Sequence, residues 1–166
     1  MWSLSCPASL IIALLALPQA LPDVSGTWRL PQSSPSPQSA TAPLGDQATI
    51  SVVGGDLIVQ TSGGRKDVYH LDGSESLNQI TGENGRPQNA RSTATATPDG
   101  FMLTRKEPRN ILVDDEHLTH GIVEIHIRLR RQPDGSLVVE QTTGVLIPMG
   151  ANPTGPVVST HYFPIK

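Results

Sequence analysis

The sequence predicts an all-β fold, an antiparallel up-and-down meander of about eight to ten strands closing into a small barrel or strongly rolled sheet. Three observations predict it. Gly and Pro number 15 each in 166 residues, which suits many short elements joined by turns. Turn signals recur at near-regular intervals along the chain. Short apolar/polar alternations fill the spans between them, with no sustained 3.6-residue periodicity.

The chain opens on an apolar segment. Residues 1–22 carry no charge, and residues 10–17 form an eight-residue apolar run. That is the length of a signal-peptide core, and it falls short of the roughly 18–20 apolar residues a spanning helix needs. The expectation is a signal peptide over residues 1–20, cleaved after the small Ala20, and a single mature domain over residues 21–166, periplasmic or extracellular. The segment lacks a Lys or Arg before its apolar run, and Pro18 stands close to the cut. A buried core helix is the alternative reading of the same residues. The one cysteine, Cys6, precedes the apolar run, the wrong place for a lipid anchor, and leaves with the leader. A mature domain without thiols forms no disulfide, no thiolate metal site and no cysteine nucleophile.

Each later element follows from its turns. Residues 24–30 are the first strand, and residues 32–45, rich in Pro, Ser and Ala, read as a long mobile connection. Gly54-Gly55, Gly63-Gly64, Asp72-Gly73 and the segment from Gly82 to Gly85 then recur about every nine residues, the spacing of successive hairpins. Two turns are near copies. Thr97-Pro98-Asp99-Gly100 separates strands at 90–97 and 101–107, and Gln132-Pro133-Asp134-Gly135 separates strands at 122–131 and 136–145. Proline presets the first corner, aspartate tolerates the second, and glycine takes the left-handed position. Residues 157–163 read as the last strand.

Alternation assigns the faces. Val123, Ile125, Ile127 and Leu129 point one way, and Glu124, His126, Arg128 and Arg130 the other. Leu137 and Val139, Leu57 and Val59, Ile50 and Val52, and Phe101 and Leu103 continue the apolar set. The strand at 90–97 offers only small groups, either Ser92, Ala94 and Ala96 or Thr93, Thr95 and Thr97. These admit a bulky neighbour or leave a cavity. A flat sheet of this width exposes an apolar face and two edges; closing it removes both, and the sequential hairpins disfavour a two-sheet sandwich.

The first strand, Val24-Ser25-Gly26-Thr27-Trp28-Arg29-Leu30, resembles the Gly-x-Trp opening of lipocalin-like β-barrels, here Gly26 and Trp28. The wider layout is similar to that of uncharacterised exported bacterial proteins that open with Ser-Gly-Thr-Trp, carry a Leu-Asp-Gly turn (Leu71-Asp72-Gly73) and end in hairpins on Asp-Gly. The first resemblance covers three residues, the second nearly the whole mature chain. The lipocalin resemblance implies that Trp28 packs across the closed end of the barrel beneath an arginine from a late strand. The last strand, at 159–163, has no arginine to fill that role.

Charge and motifs limit the chemistry. A net charge of −3 implies no general attraction to nucleic acid or acidic membranes, and the composition gives no stable membrane insertion. No Gly-x-Ser-x-Gly elbow, P-loop, dinucleotide fingerprint or His-Glu-x-x-His is present. The cluster Asp114-Asp115-Glu116-His117-Leu118-Thr119-His120 places His117 and His120 beside three carboxylates, a candidate site for a divalent cation. A solvated connection is the simpler reading. His126 reads as an outward surface residue, and His70 and His161 as ordinary strand residues. Arg128, Arg130 and Arg131, with Arg105, Lys106 and Arg109, form a candidate basic patch on a strand face.

These readings converge on an exported, lipocalin-like binding protein that is not an enzyme, uses no cofactor and holds a small apolar ligand in its interior. The alternative is a non-catalytic envelope structural or protein-interaction domain without a ligand cavity. A hydrolase built on the loop at 114–120 is the third reading.

Overall fold

The computed structural model describes residues 21–31, 42–82, 84–112, 118–147, 150–152 and 155–165. The expected leader with Cys6, residues 32–41 of the first connection and residues 113–117 lie outside the described residues.

The described residues form eleven strands: β1 (Gly26–Arg29), β2 (Gln47–Val53), β3 (Asp56–Thr61), β4 (Lys66–His70), β5 (Ser76–Thr81), β6 (Pro87–Thr97), β7 (Gly100–Leu112), β8 (Leu118–Arg131), β9 (Leu137–Ile147), β10 (Gly150–Asn152) and β11 (Val158–Pro164). Their order is β4-β3-β2-β1-β11-β9-β8-β7-β6-β5, and the short β10 shares β9 with β11. All ladders are antiparallel, and β1 meets β11 through Trp28↔Pro164 and Arg29↔Phe163. The ten strands of this path make one up-and-down sheet rolled into a nearly closed barrel, compatible with a lipocalin-like fold. The turns after β2, β4, β6 and β8 lie at one end, here the base, and the connections after β3, β5 and β7 at the other, the mouth.

Alternation decides what faces inward. Ile125, Ile127 and Leu129 of β8 are buried with Leu57, Val59, Phe101, Leu103, Leu137 and Val139, and Val123 packs against them. Burial of each such large side chain stabilises the fold by about 1.5–3 kcal/mol. The small residues of β6 admit a neighbour: Ala94 pairs with Leu103, and Ser92 pairs with Arg105, whose long side chain passes over them.

The two near-copy turns differ. Gly135 has φ +84° and takes the left-handed position as expected. Gly100 does not, and its reason is steric: a Cβ there would lie 1.7 Å from the Leu129 carbonyl oxygen on β8. Asp134 accepts from the Ser136 amide at 2.8 Å and hydroxyl at 2.6 Å, and Asp72 does the same with Ser74. These bonds to the ionised form hold both carboxyls below the usual range.

At the base, Gly26 and Trp28 act together. Gly26 has φ +147°, and a Cβ on it would sit 3.4 Å from the indole, which folds back along the chain and donates from Nε1 to the Val24 carbonyl at 3.1 Å. Trp28 is buried in the apolar cluster. The arginine missing from the last strand comes from β8: the Arg131 guanidinium lies 6.0 Å from the indole centroid and is held by Asp23 at 2.9 Å. The first connection is also less free than expected at its end, where the buried Leu44 amide donates to the Tyr162 hydroxyl at 3.1 Å and that hydroxyl donates to the Gly45 carbonyl at 3.0 Å.

The barrel closes between β4 and β5, the two ends of the sheet path, which share no backbone ladder among the described residues. A side chain substitutes for it. The Asn78 amide accepts from the Val68 N–H at 2.7 Å and donates to the Val68 carbonyl at 2.9 Å, and Ser76 Oγ donates to the same carbonyl.

Two substitutions test this arrangement. Trp28→Ala is expected to destabilise the protein by roughly 3–5 kcal/mol in denaturant unfolding; a shift below about 1 kcal/mol would contradict the buried placement of the indole. Asn78→Leu leaves the Val68 N–H unpaired, while the carbonyl keeps its bond from Ser76 Oγ, with an expected loss of about 1–3 kcal/mol and faster amide exchange at Val68. Unchanged protection there would mean that the seam is held by other contacts.

Candidate functional site

The alternation that turns Phe101 and Leu103 inward continues up β7 and turns Arg105, Glu107 and Arg109 inward after them. Arg105 and Glu107 are buried, and so is Asp67 of β4, one step from the β3–β4 turn that carries Arg65. These side chains form an alternating chain of charge across the barrel. Arg65 Nε lies 3.0 Å from Asp67 Oδ2, and Arg105 Nη1 donates to that same oxygen at 3.1 Å. Arg105 Nε lies 2.7 Å from Glu107 Oε1, and Arg109 Nη2 donates to Glu107 Oε2 at 2.5 Å. The two Nε contacts are ionic in character, since neither N–H points along them, and Asp67 Oδ1 is buried without a hydrogen-bond partner among the described residues.

Arg105 is the centre of this chain. Burial opposes its charge, but Tyr69, Asp67 and Glu107 outweigh burial and raise its pKa further. Tyr69, inward-facing one step below Asp67, is pushed up to about 12 by burial and by the Asp67 charge, against the pull of Arg105 and Arg65. Arg105 reaches β4 because the intervening strands carry small or short polar groups inward: Ser76 and Asn78 on β5, Ala90, Ser92 and Ala94 on β6.

A cavity of about 570 Å³ opens over this chain at the mouth, between the β3–β4 and β5–β6 turns. Arg65, Arg105, Glu107 and Arg109 line it together with Gly63-Gly64, Thr81 and the apolar Ile80, Pro87 and Ile125. Its volume falls in the usual range for small-molecule sites, about 300–1,000 Å³. Below it the barrel is filled by the apolar cluster from Leu103 down to Trp28.

The residues singled out from sequence fall elsewhere. Gly26 and Trp28 belong to the base. His117 lies outside the described residues; His120 is exposed on β8 opposite Asn110. No group of three metal-ligating side chains occurs among the described residues. The basic patch divides. Arg105 and Arg109 turn inward, Arg131 lies over Trp28 at the base beside Asp23, and Lys106, Arg128 and Arg130 face out and pair with Glu124, Asp99 and Glu140. His126 faces out, with Nδ1 3.2 Å from Thr104 Oγ1, and His70 Nδ1 lies 2.8 Å from Asp56. The signal for the charge chain was the same period of two that located the apolar core. Arg105-x-Glu107-x-Arg109 extends the inward register of β7, and Arg65-x-Asp67-x-Tyr69 sets the facing one on β4.

No family model, curated protein or solved structure matches the chain.

The buried hydroxyls offer a direct check. The chain has two tyrosines, Tyr69 and Tyr162, and burial pushes both up to about 12. Because the folded-state pKa lies above the unfolded value near 10, their contribution to stability is complete below about pH 10 and is lost as pH rises toward 12. Tyrosinate absorbance is therefore expected to stay low at pH 10–11 and to appear together with alkaline unfolding. Ordinary titration near pH 10 with the circular dichroism unchanged would contradict the burial of both rings.

Proposed function

We propose that the chain is an exported, non-catalytic, lipocalin-like binding protein whose small ligand sits at the mouth of the barrel. The observation that carries the reading is the cavity of about 570 Å³ floored by the Arg65–Asp67–Arg105–Glu107–Arg109 chain, whose three middle members are buried. A cavity of this size beside desolvated, mutually oriented charges is what a site for one small polar ligand requires. The ligand character shifts from the sequence expectation. The apolar cluster below the cavity is packed from the protein's own side chains, and the open volume above it is lined mainly by polar groups, which supports a polar ligand at the mouth. Export rests on the apolar leader and its predicted cut after Ala20.

The reading is non-catalytic on chemical grounds. Each carboxylate of the charge chain is engaged by two guanidiniums, so neither reaches a substrate without breaking an ion pair.

Native mass spectrometry of the protein purified gently from its own host's envelope tests the reading. A reproducible mass excess, released on denaturation and lost in a mouth variant such as Gly64→Trp, is the expected result. A sharp bare mass in several gentle preparations, with a protein partner captured instead, would favour the envelope-interaction alternative.

A further inference from the structure

We infer that the mouth selects a small organic monocarboxylate, received by the accessible guanidiniums at the two ends of the charge chain, Arg65 and Arg109; this rests on the proposed binding reading. Charge at the cavity wall carries the argument. Of the charged groups lining the cavity among the described residues, three are cationic, Arg65, Arg105 and Arg109, and one is anionic, Glu107. Asp67 lies behind this wall, buried against Arg65 and Arg105. The whole chain of five alternates in sign and ends on arginine at both sides, which leaves one positive charge in excess.

The terminal position of the two arginines matters as much as the count. Arg105 is spent on two acids, whereas Arg65 and Arg109 each hold one acid among the described residues. Their side chains are also the accessible ones, 33% and 26% exposed against 7% for Arg105. A guanidinium presents five donors in a planar fork, so each retains N–H groups for a second planar acceptor. A carboxylate completes the alternation: it is the next acid in a chain that stops on a base. The low-dielectric walls of the mouth strengthen that attraction relative to open water. An ammonium group entering the same space would meet three guanidiniums and one carboxylate already committed to Arg105 and Arg109. A monoanion matches the single excess charge, and Ile80, Pro87 and Ile125 supply a short apolar wall for its organic part.

The test titrates hexanoate, hexanol and hexylammonium into the protein, observed through arginine side-chain Nε–H and backbone resonances. Hexanoate is expected to shift Arg65, Arg109 and the Gly63-Gly64 amides saturably, while hexanol and hexylammonium at equal concentration do not. Arg65→Gln with Arg109→Gln should weaken hexanoate binding by about tenfold or more, and Arg128→Gln on the outer face should leave it unchanged. If the double variant fails to fold, the wild-type salt series decides: affinity for hexanoate should fall as salt rises. Equal binding of hexanol and hexanoate at the mouth, or salt-independent hexanoate binding, overturns the carboxylate inference and leaves the binding reading standing. Failure of all three probes to move any mouth resonance, together with a bare native mass, removes the binding reading itself.

Discussion

A cation buried inside a barrel must bring its own counterions, and the placement of Arg105 sets much of this structure. Desolvating a guanidinium costs several kcal/mol unless it is paired and hydrogen-bonded. Asp67 and Glu107 supply the pairing, and they in turn draw Arg65 and Arg109 to the mouth. The reach from β7 to β4 requires short side chains between them, and Ser76, Ala90, Ser92 and Ala94 provide the space. The Arg105–Asp67 pair also crosses the seam between β4 and β5, so it clasps the barrel where the backbone ladder is missing. Buried ion pairs are weak contributors to stability, and well-packed apolar groups of similar volume often serve as well. The charge chain is therefore poorly explained by stability alone, and its position beneath an open cavity is the ground for the recognition role proposed for it.

Most of the fold was legible because a β-strand writes its two faces into sequence at a period of two and its turns into Gly and Asp. The core residues of β8, the hairpins on Gly54-Gly55 and Gly63-Gly64, and the Gly135 turn all follow from those rules. Other features needed the third dimension. Gly100 carries the same local sequence as Gly135, but its constraint is a carbonyl on β8 that no local pattern reveals. The arginine over Trp28 comes from β8 and not from the last strand, because β8 ends at the base beside the chain segment carrying Asp23.

The site was legible in part, and the obstacle was an assumption about chemistry. Charged residues in a strand are usually solvated, so Arg105 and Arg109 grouped naturally with Arg128 and Arg130. Register alone separates them: Arg105 shares parity with Phe101 and Leu103, and Arg128 pairs across the strands with Met102, on the opposite face. Period two is indifferent to polarity, and following it past Leu103 leads to the mouth. Asn78 was less accessible, since nothing local marks an asparagine that substitutes for a strand ladder.

The interior polarity is concentrated in one sector. Ser76, Asn78, Ser92, Asp67, Arg105 and Glu107 lie on β4 to β7, next to the seam, while the inward faces of β8, β9, β2 and β3 are dominated by aliphatic side chains. Segregation of this kind follows from the low dielectric of a packed interior, where each polar group needs a partner within hydrogen-bond reach and gathers others around it. The seam needs polar side chains because two strand edges there lack each other's backbone groups, and the charge chain needs short neighbours and local acids. Both demands are met by the same strands. A barrel whose closure is made by Asn78 and Ser76 thus already has a polar wall, and the mouth that opens above that wall is polar, while the aliphatic sector keeps the base packed.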